Sequence, residues 1–151
     1  RAFHRLRRHN PNVLLLVVGA GNKKLDHLFK NKPAVRAVGA KNNVVPYLQA
    51  MDIYVLPSLT ETTSLSTLEA MACGLTVVST PVGYVKSYIE NGKNGLLVPT
   101  SDSVKLYMTL RQLEEDKTER QRLAFNARRS VVEQFSWENT VQQIRNVLNV
   151  F

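Results

Sequence analysis

The chain has 151 residues, 44% of them hydrophobic, which favours one domain with a real core and excludes a disordered chain. Its single cysteine, Cys73, excludes an internal disulfide, and no apolar run reaches the roughly 20 residues that span a bilayer. The formal net charge is +8, a balance that attracts phosphate groups on nucleotides, anionic lipids or nucleic acid.

Residues 1–10 (RAFHRLRRHN) open inside a helical pattern with Phe3 and Leu6 on the apolar face, and they lack the apolar stretch of a signal peptide. A parallel sheet normally has a strand before such a helix, so the chain is expected to be a piece of a longer protein. Residues 13–18 (VLLLVV) form a short continuous apolar run, the pattern of a strand buried on both faces of a parallel sheet. A helix is expected over residues 23–31, stopped before Pro33. A second strand follows at 35–38, closed by Gly39. Residues 43–51 read as a short helix and 53–56 as a third strand, stopped by Pro57 and Ser58. Residues 65–73 read as a helix with Gly74 in the usual C-cap place. Its apolar face is expected at Leu65, Leu68 and Ala72. Strands four and five are expected at 76–79 and 96–98. From Ser101 the pattern is helical and charged, with a break near Asp116. Ser136 looks like the N-cap of a closing helix over 136–151, with Trp137 packing it onto the sheet.

This alternation predicts a single α/β domain over residues 1–151: a Rossmann-like, doubly wound parallel sheet with helices on both faces. Ligands bind such sheets at the carboxyl ends of the strands. The loops to inspect are therefore 19–22, 39–42, 58–64 and 80–84. Positive charge clusters in residues 1–8 and 111–129. A solvated helix face is the plain reading and contact with a membrane surface the alternative. Nucleic acid is the least suited partner, because only Phe3 and Phe125 fall among the basic residues of the two clusters.

Glu61 lies in the loop after the third strand, and Glu69 lies inside the helix that follows. Between them the helix start offers free N–H groups and the positive end of a dipole, which suit a diphosphate. The hydroxyls of Thr62, Thr63, Ser64 and Ser66 add donors. Glu61 at the mouth can accept from sugar hydroxyls, and Glu69 can accept both hydroxyls of a ribose. The same residues also have plainer roles, as dipole-complementing acids, caps and a solvated glutamate. From the residues alone both readings stand. Gly19 and Gly21 follow a strand, but a third glycine of a dinucleotide fingerprint would fall at Lys24, so a turn in the cleft wall fits better. Cys73 reads as a small core residue, and Tyr84 suits either the cleft or solvent.

The E-x7-E pair, with its second Glu inside LEAMACG (residues 68–74), resembles the retaining glycosyltransferases of two-Rossmann-domain (GT-B) architecture, glycosyltransferase family 4. DIYVLPS before the pair, TVVST after it, NGKNGLLVP at 91–99, FSWENT at 135–140 and PNVLLLVVGAG at 11–21 are similar to that family in order and spacing. The resemblance implies the donor-binding half of an enzyme that transfers a hexosyl group from a nucleotide-diphosphate sugar. Glu61 would contact the transferred sugar as the catalytic residue, and Glu69 the ribose. The backbone of Thr62, Thr63, Ser64 and Leu65 would face the diphosphate. Val38, Gly39 and Lys41 would lie near the base, with Gly19, Gly21 and Gly83 lining the donor side. No metal or other cofactor is implied, and no cluster of His, Asp and Glu in the sequence demands one. The acceptor would belong to a separate N-terminal domain. The expected location is the cytoplasm, with a peripheral membrane contact left open at its inner face.

Departures from the family pattern are specific. Thr62-Thr63-Ser64 stands where the family has Gly-Phe-Gly, and Gly83-Tyr84 with Ser87 stands where it has Gly-Gly followed by Glu. A sugar-nucleotide epimerase or phosphorylase of the same architecture is one alternative. A non-catalytic module that kept the fold is another.

Overall fold

The computed structural model describes residues 1–20, 29 and 32–148. The helix expected over 23–31 lies outside the described residues. In chain order the elements are α1 (Ala2–His9), β1 (Leu15–Val18), β2 (Val35–Gly39), α2 (Val45–Gln49), β3 (Ile53–Leu56) and α3 (Leu65–Ala72). They continue with β4 (Thr76–Ser79), α4 (Val85–Tyr88), β5 (Leu96–Leu97), α5 (Ser103–Glu115), α6 (Lys117–Gln134) and α7 (Trp137–Leu148). All five expected strands are present, and α4 is an addition that its four residues were too few to signal by periodicity.

Every described strand pairing is parallel. β1 pairs with β2, with a register irregularity between Val17 and Val18, while β4 lies between β3 and β5. β4 is buried along its whole length, as a central parallel strand must be. Its alternation divides the core. Val77 belongs to one apolar cluster with Ala70 and Met71 of α3, Val85 and Tyr88 of α4, and Ala127 and Val131 of α6. Val78 belongs to another with Leu6 of α1, Leu110 and Leu113 of α5, and Leu123 of α6. Successive side chains of a strand point to opposite faces, so helices cover both faces of this sheet. The doubly wound expectation holds.

Local chemistry sets the helix ends. Asp102 caps α5 by accepting from the N–H groups of Val104 at 3.0 Å and Lys105 at 2.8 Å. Asp116 ends α5 and also starts α6, accepting from the Glu119 N–H at 2.9 Å. The Ser136 hydroxyl accepts from the Asn139 N–H at 3.2 Å, the N-cap expected of it. α3 ends in a Schellman motif. Gly74, at φ 74°, donates to the Met71 carbonyl at 2.9 Å, and Leu75 donates to that of Ala70 at 3.1 Å.

One expectation holds in part and one fails. The buried face of α3 is Thr67, Ala70 and Met71; Leu68 and Ala72 are partly buried and pack against the same core, whereas Leu65 is 67% exposed. The Thr67 hydroxyl is paired with that of Ser64 at 2.8 Å, so a polar residue can occupy the core side without cost to an unpaired group. Trp137 does not pack α7 onto the sheet. It is 81% exposed, and none of the α7 side chains is buried.

Candidate functional site

The loop after β3 and the turn after β4 converge, and the sequence between their strands explains why. The β3–β4 register aligns Leu56 with Ser79, so the two chains leave the sheet side by side. Thr80 then donates its N–H to the Leu56 carbonyl at 3.1 Å and its hydroxyl to the Ser58 carbonyl at 2.6 Å. Further along, the Tyr84 N–H donates to the Thr62 carbonyl at 2.8 Å. Gly83 makes this approach feasible. It has φ 53°, and a Cβ there would lie 2.1 Å from the Glu61 carbonyl oxygen and 2.6 Å from that of Thr62. Only glycine fits such a contact. The structure therefore gives Gly83 a backbone-packing position against the Glu61 loop.

Glu61 is half-buried, and its Oε1 accepts from the Ser58 hydroxyl at 2.8 Å. Thr62 and Thr63 are exposed. Ser64 occupies the N-cap position of α3 but makes no side-chain cap. Its hydroxyl turns inward instead, to Thr67 Oγ1 at 2.8 Å and Ser66 Oγ at 3.3 Å. The Tyr54 hydroxyl of β3 donates to Ser66 Oγ at 2.8 Å, and that of Tyr88 on α4 donates to the Ser64 carbonyl at 3.4 Å. Burial away from water raises the pKa of both phenols, against hydrogen bonds that lower it. The phenols thus stay neutral and pin the start of α3. By contrast with α5 and α6, the start of α3 has no side-chain cap; the Leu65 and Thr67 N–H groups donate to the Thr63 and Ser64 carbonyls, each at 3.1 Å, and among the described residues the Ser66 N–H has no acceptor. Glu69 lies further along α3, exposed.

The residues expected near the base form a separate group together with Gly19. Gly19 ends β1 with φ 133° and donates its N–H to the Gly39 carbonyl at 3.0 Å, and Gly39 ends β2 with φ 73°. Val38 is half-buried, and Lys41 places Nζ 5.7 Å from the centre of the Tyr47 ring. Gly21 lies outside the described residues. Tyr84 is 52% exposed, beside the Glu61 loop.

Several participants were not evident from sequence. Ser58 and Thr80 carried a weak signal, as hydroxyl residues placed just after adjacent strands. Tyr54 and Tyr88 carried none, because they reach α3 from β3 and α4. Nor did sequence spacing show that His9, Glu114 and Glu115 meet at the α1–α5 contact, with ligand atoms within 4.8 Å of one another. There, Glu115 is already paired with Arg111 at 2.8 Å, and Glu114 accepts from Asn10 at 2.7 Å. Among the described residues no helix is long and apolar enough to cross a membrane.

Comparison with known proteins adds four findings. The family described as "Glycosyl transferases group 1" matches residues 1–116. The N-acetyl-alpha-D-glucosaminyl L-malate synthase of Bacillus anthracis is 33% identical over 138 residues, covering 88% of this chain and 36% of that protein. Among solved structures, Anabaena Alr3699/HepE in complex with UDP-glucose superposes with a TM-score of 0.86 at 25% identity, over 99% of this chain and 44% of that one. The C-terminal domain of a glycosyl transferase group 1 family protein (LpcC) from Francisella tularensis superposes with a TM-score of 0.74 at 23% identity, over 90% of this chain and 76% of that one. The chain thus spans about a third of the length of the Bacillus relative.

Proposed function

The chain belongs to the glycosyl transferases group 1 family, and from that premise we propose that it is the donor-binding domain of a retaining hexosyltransferase of family 4. The observation that carries this reading is the start of α3, which has no side-chain cap and lies between Glu61 and Glu69.

The diphosphate of a nucleotide sugar sits against that end, where the Ser66 N–H has no acceptor among the described residues and the helix dipole is positive. Transfer builds negative charge on the leaving diphosphate and positive charge on the sugar. The Ser66 N–H and the positive end of the helix dipole, both fixed by the helix, meet the first without reorganisation. The carboxylate of Glu61 orients the sugar and offsets part of the second. Glu69 accepts the ribose hydroxyls, and Val38, Gly39 and Lys41 border the base. The hydroxyls of Thr62 and Thr63, both exposed, stand in for the close glycine approach that the family pattern otherwise supplies. With the charge met at the helix end, the chemistry needs no metal, and transfer persists in the presence of a chelator. The acceptor is held by an N-terminal domain in the rest of the enzyme. This domain alone binds donor weakly and transfers little.

The solved Anabaena relative in complex with UDP-glucose supports a nucleotide-sugar ligand for this fold. The basic residues Arg1, Arg5, Arg7 and Arg8 of the α1 region fit a peripheral contact with an anionic membrane surface at the cytoplasmic side. The functional test is calorimetry of nucleotide-sugar binding to the protein and to Glu69→Ala. Weakened binding is the expected result, and unchanged affinity would remove Glu69 from the site.

A further inference from the structure

The residues around Glu61 form a chain of hydrogen bonds that begins in the core. Thr80 is 2% exposed, and its hydroxyl donates to the Ser58 carbonyl at 2.6 Å. Ser58 donates its own hydroxyl to Glu61 Oε1 at 2.8 Å. Among the described residues none donates to the other oxygen of that carboxylate. On the far side of Glu61, the Tyr84 N–H holds the Thr62 carbonyl at 2.8 Å. The glutamate is therefore fixed through its backbone on both sides and through one of its two carboxylate oxygens.

An unrestrained glutamate samples many rotamers, and a carboxylate that must meet a sugar gains from being held in one. A serine hydroxyl suits this task because it donates to the carboxylate while taking little space. A buried threonine hydroxyl must itself find an acceptor, and here it finds the carbonyl of that serine. Ser58 in turn depends on β3 and β4 leaving the sheet in register. The orientation of Glu61 is thus tied to the core strands, in a loop that is otherwise polar and irregular.

We propose that Ser58 and Thr80 are positioning residues: together they hold Glu61 so that one carboxylate oxygen is bonded to Ser58 and the other is presented to the donor sugar. This rests on the reading of Glu61 as the sugar contact.

The test separates the sugar from the nucleotide. Dissociation constants are measured by calorimetry for UDP and UDP-glucose, GDP and GDP-mannose, and ADP and ADP-glucose. For the base that binds, the ratio within the pair gives the contribution of the sugar. Ser58→Ala is expected to leave the bare nucleotide constant within about twofold and to reduce the sugar's contribution about three- to tenfold, the range of an ordinary net hydrogen bond. Ser58→Thr keeps the hydroxyl and restores the ratio. Thr80→Val lowers it in the same direction. Glu61→Gln serves as the reference and loses the contribution outright. If Glu61→Gln lowers the ratio but Ser58→Ala does not, the positioning role alone is overturned. If Ser58→Ala weakens both ligands equally, the residue is merely structural and the proposal falls. If Glu61→Gln leaves the ratio unchanged, or no pair binds, the donor reading of Glu61 fails and takes this inference with it.

Discussion

Replacing Gly83 with alanine places a Cβ 2.1 Å from the Glu61 carbonyl oxygen and 2.8 Å from its carbonyl carbon. Non-bonded carbon–oxygen contacts need about 3 Å, so the loop must retreat by about 1 Å. Two costs add: about 1–2 kcal/mol for alanine in the left-handed region, and about 1–3 kcal/mol for the overpacking. Gly92 separates them, since its φ is 79° but nothing lies within 4 Å of its added Cβ. Urea denaturation is therefore expected to show a loss of about 2–5 kcal/mol for Gly83→Ala and only about 1–2 kcal/mol for Gly92→Ala. A catalytic group displaced by about 1 Å costs roughly a hundredfold in rate, so transfer by the whole enzyme falls by that order for Gly83→Ala and is retained for Gly92→Ala. Equal losses in the two variants, or a Gly83→Ala enzyme of normal rate, would refute the argument from close approach.

Three further outcomes follow from the packing. Asn94 is 2% exposed and joins the Glu90 N–H at 2.8 Å, the Tyr88 carbonyl at 2.9 Å and the Ser130 hydroxyl at 3.0 Å. Asn94→Ala strands those partners and is expected to cost about 3 kcal/mol by urea denaturation, with a loss under about 1 kcal/mol counting against the network. The phenol pKa values of Tyr54 and Tyr88 are raised by burial, so their contribution to stability is full below the unfolded tyrosine value of about 10 and is lost as pH climbs through the higher folded values. Alkaline unfolding should be shallower in Tyr54→Phe and Tyr88→Phe, and an unaltered alkaline limb would contradict this. Trp137→Ser should change the stability of this chain by no more than about 0.5 kcal/mol, because the indole is 81% exposed.

The fold was readable because its signals are local. Apolar runs closed by glycine or proline mark the strands, and Gly74 marks the end of α3 in the place its left-handed φ requires. Helix α3 itself shows where local reading stops. Leu65 and Leu68 suggest a core face by hydrophobicity, yet Thr67 takes the inner position because Ser64, three residues earlier, pairs with its hydroxyl. The size of Trp137 suggests a packing role, which needs a neighbouring surface that sequence does not reveal. The acidic pair and the helix start were legible as a motif. Their support was not, because Ser58, Thr80, Gly83 and Tyr84 act through tertiary contacts across two strands. Gly83 is instructive here, since the resemblance places it with the donor while the geometry places it against the Glu61 backbone. The His9–Glu114–Glu115 group was invisible for the same reason, its members being brought together only when α1 docks on α5.

The most direct test of the central claim is a crystal structure of the protein with whichever of UDP-glucose, GDP-mannose or ADP-glucose binds. The diphosphate is expected within hydrogen-bond distance of the first turn of α3, the sugar at Glu61 and the ribose at Glu69. A nucleotide seated elsewhere, or a diphosphate held by side chains with the α3 start left to solvent, would contradict it.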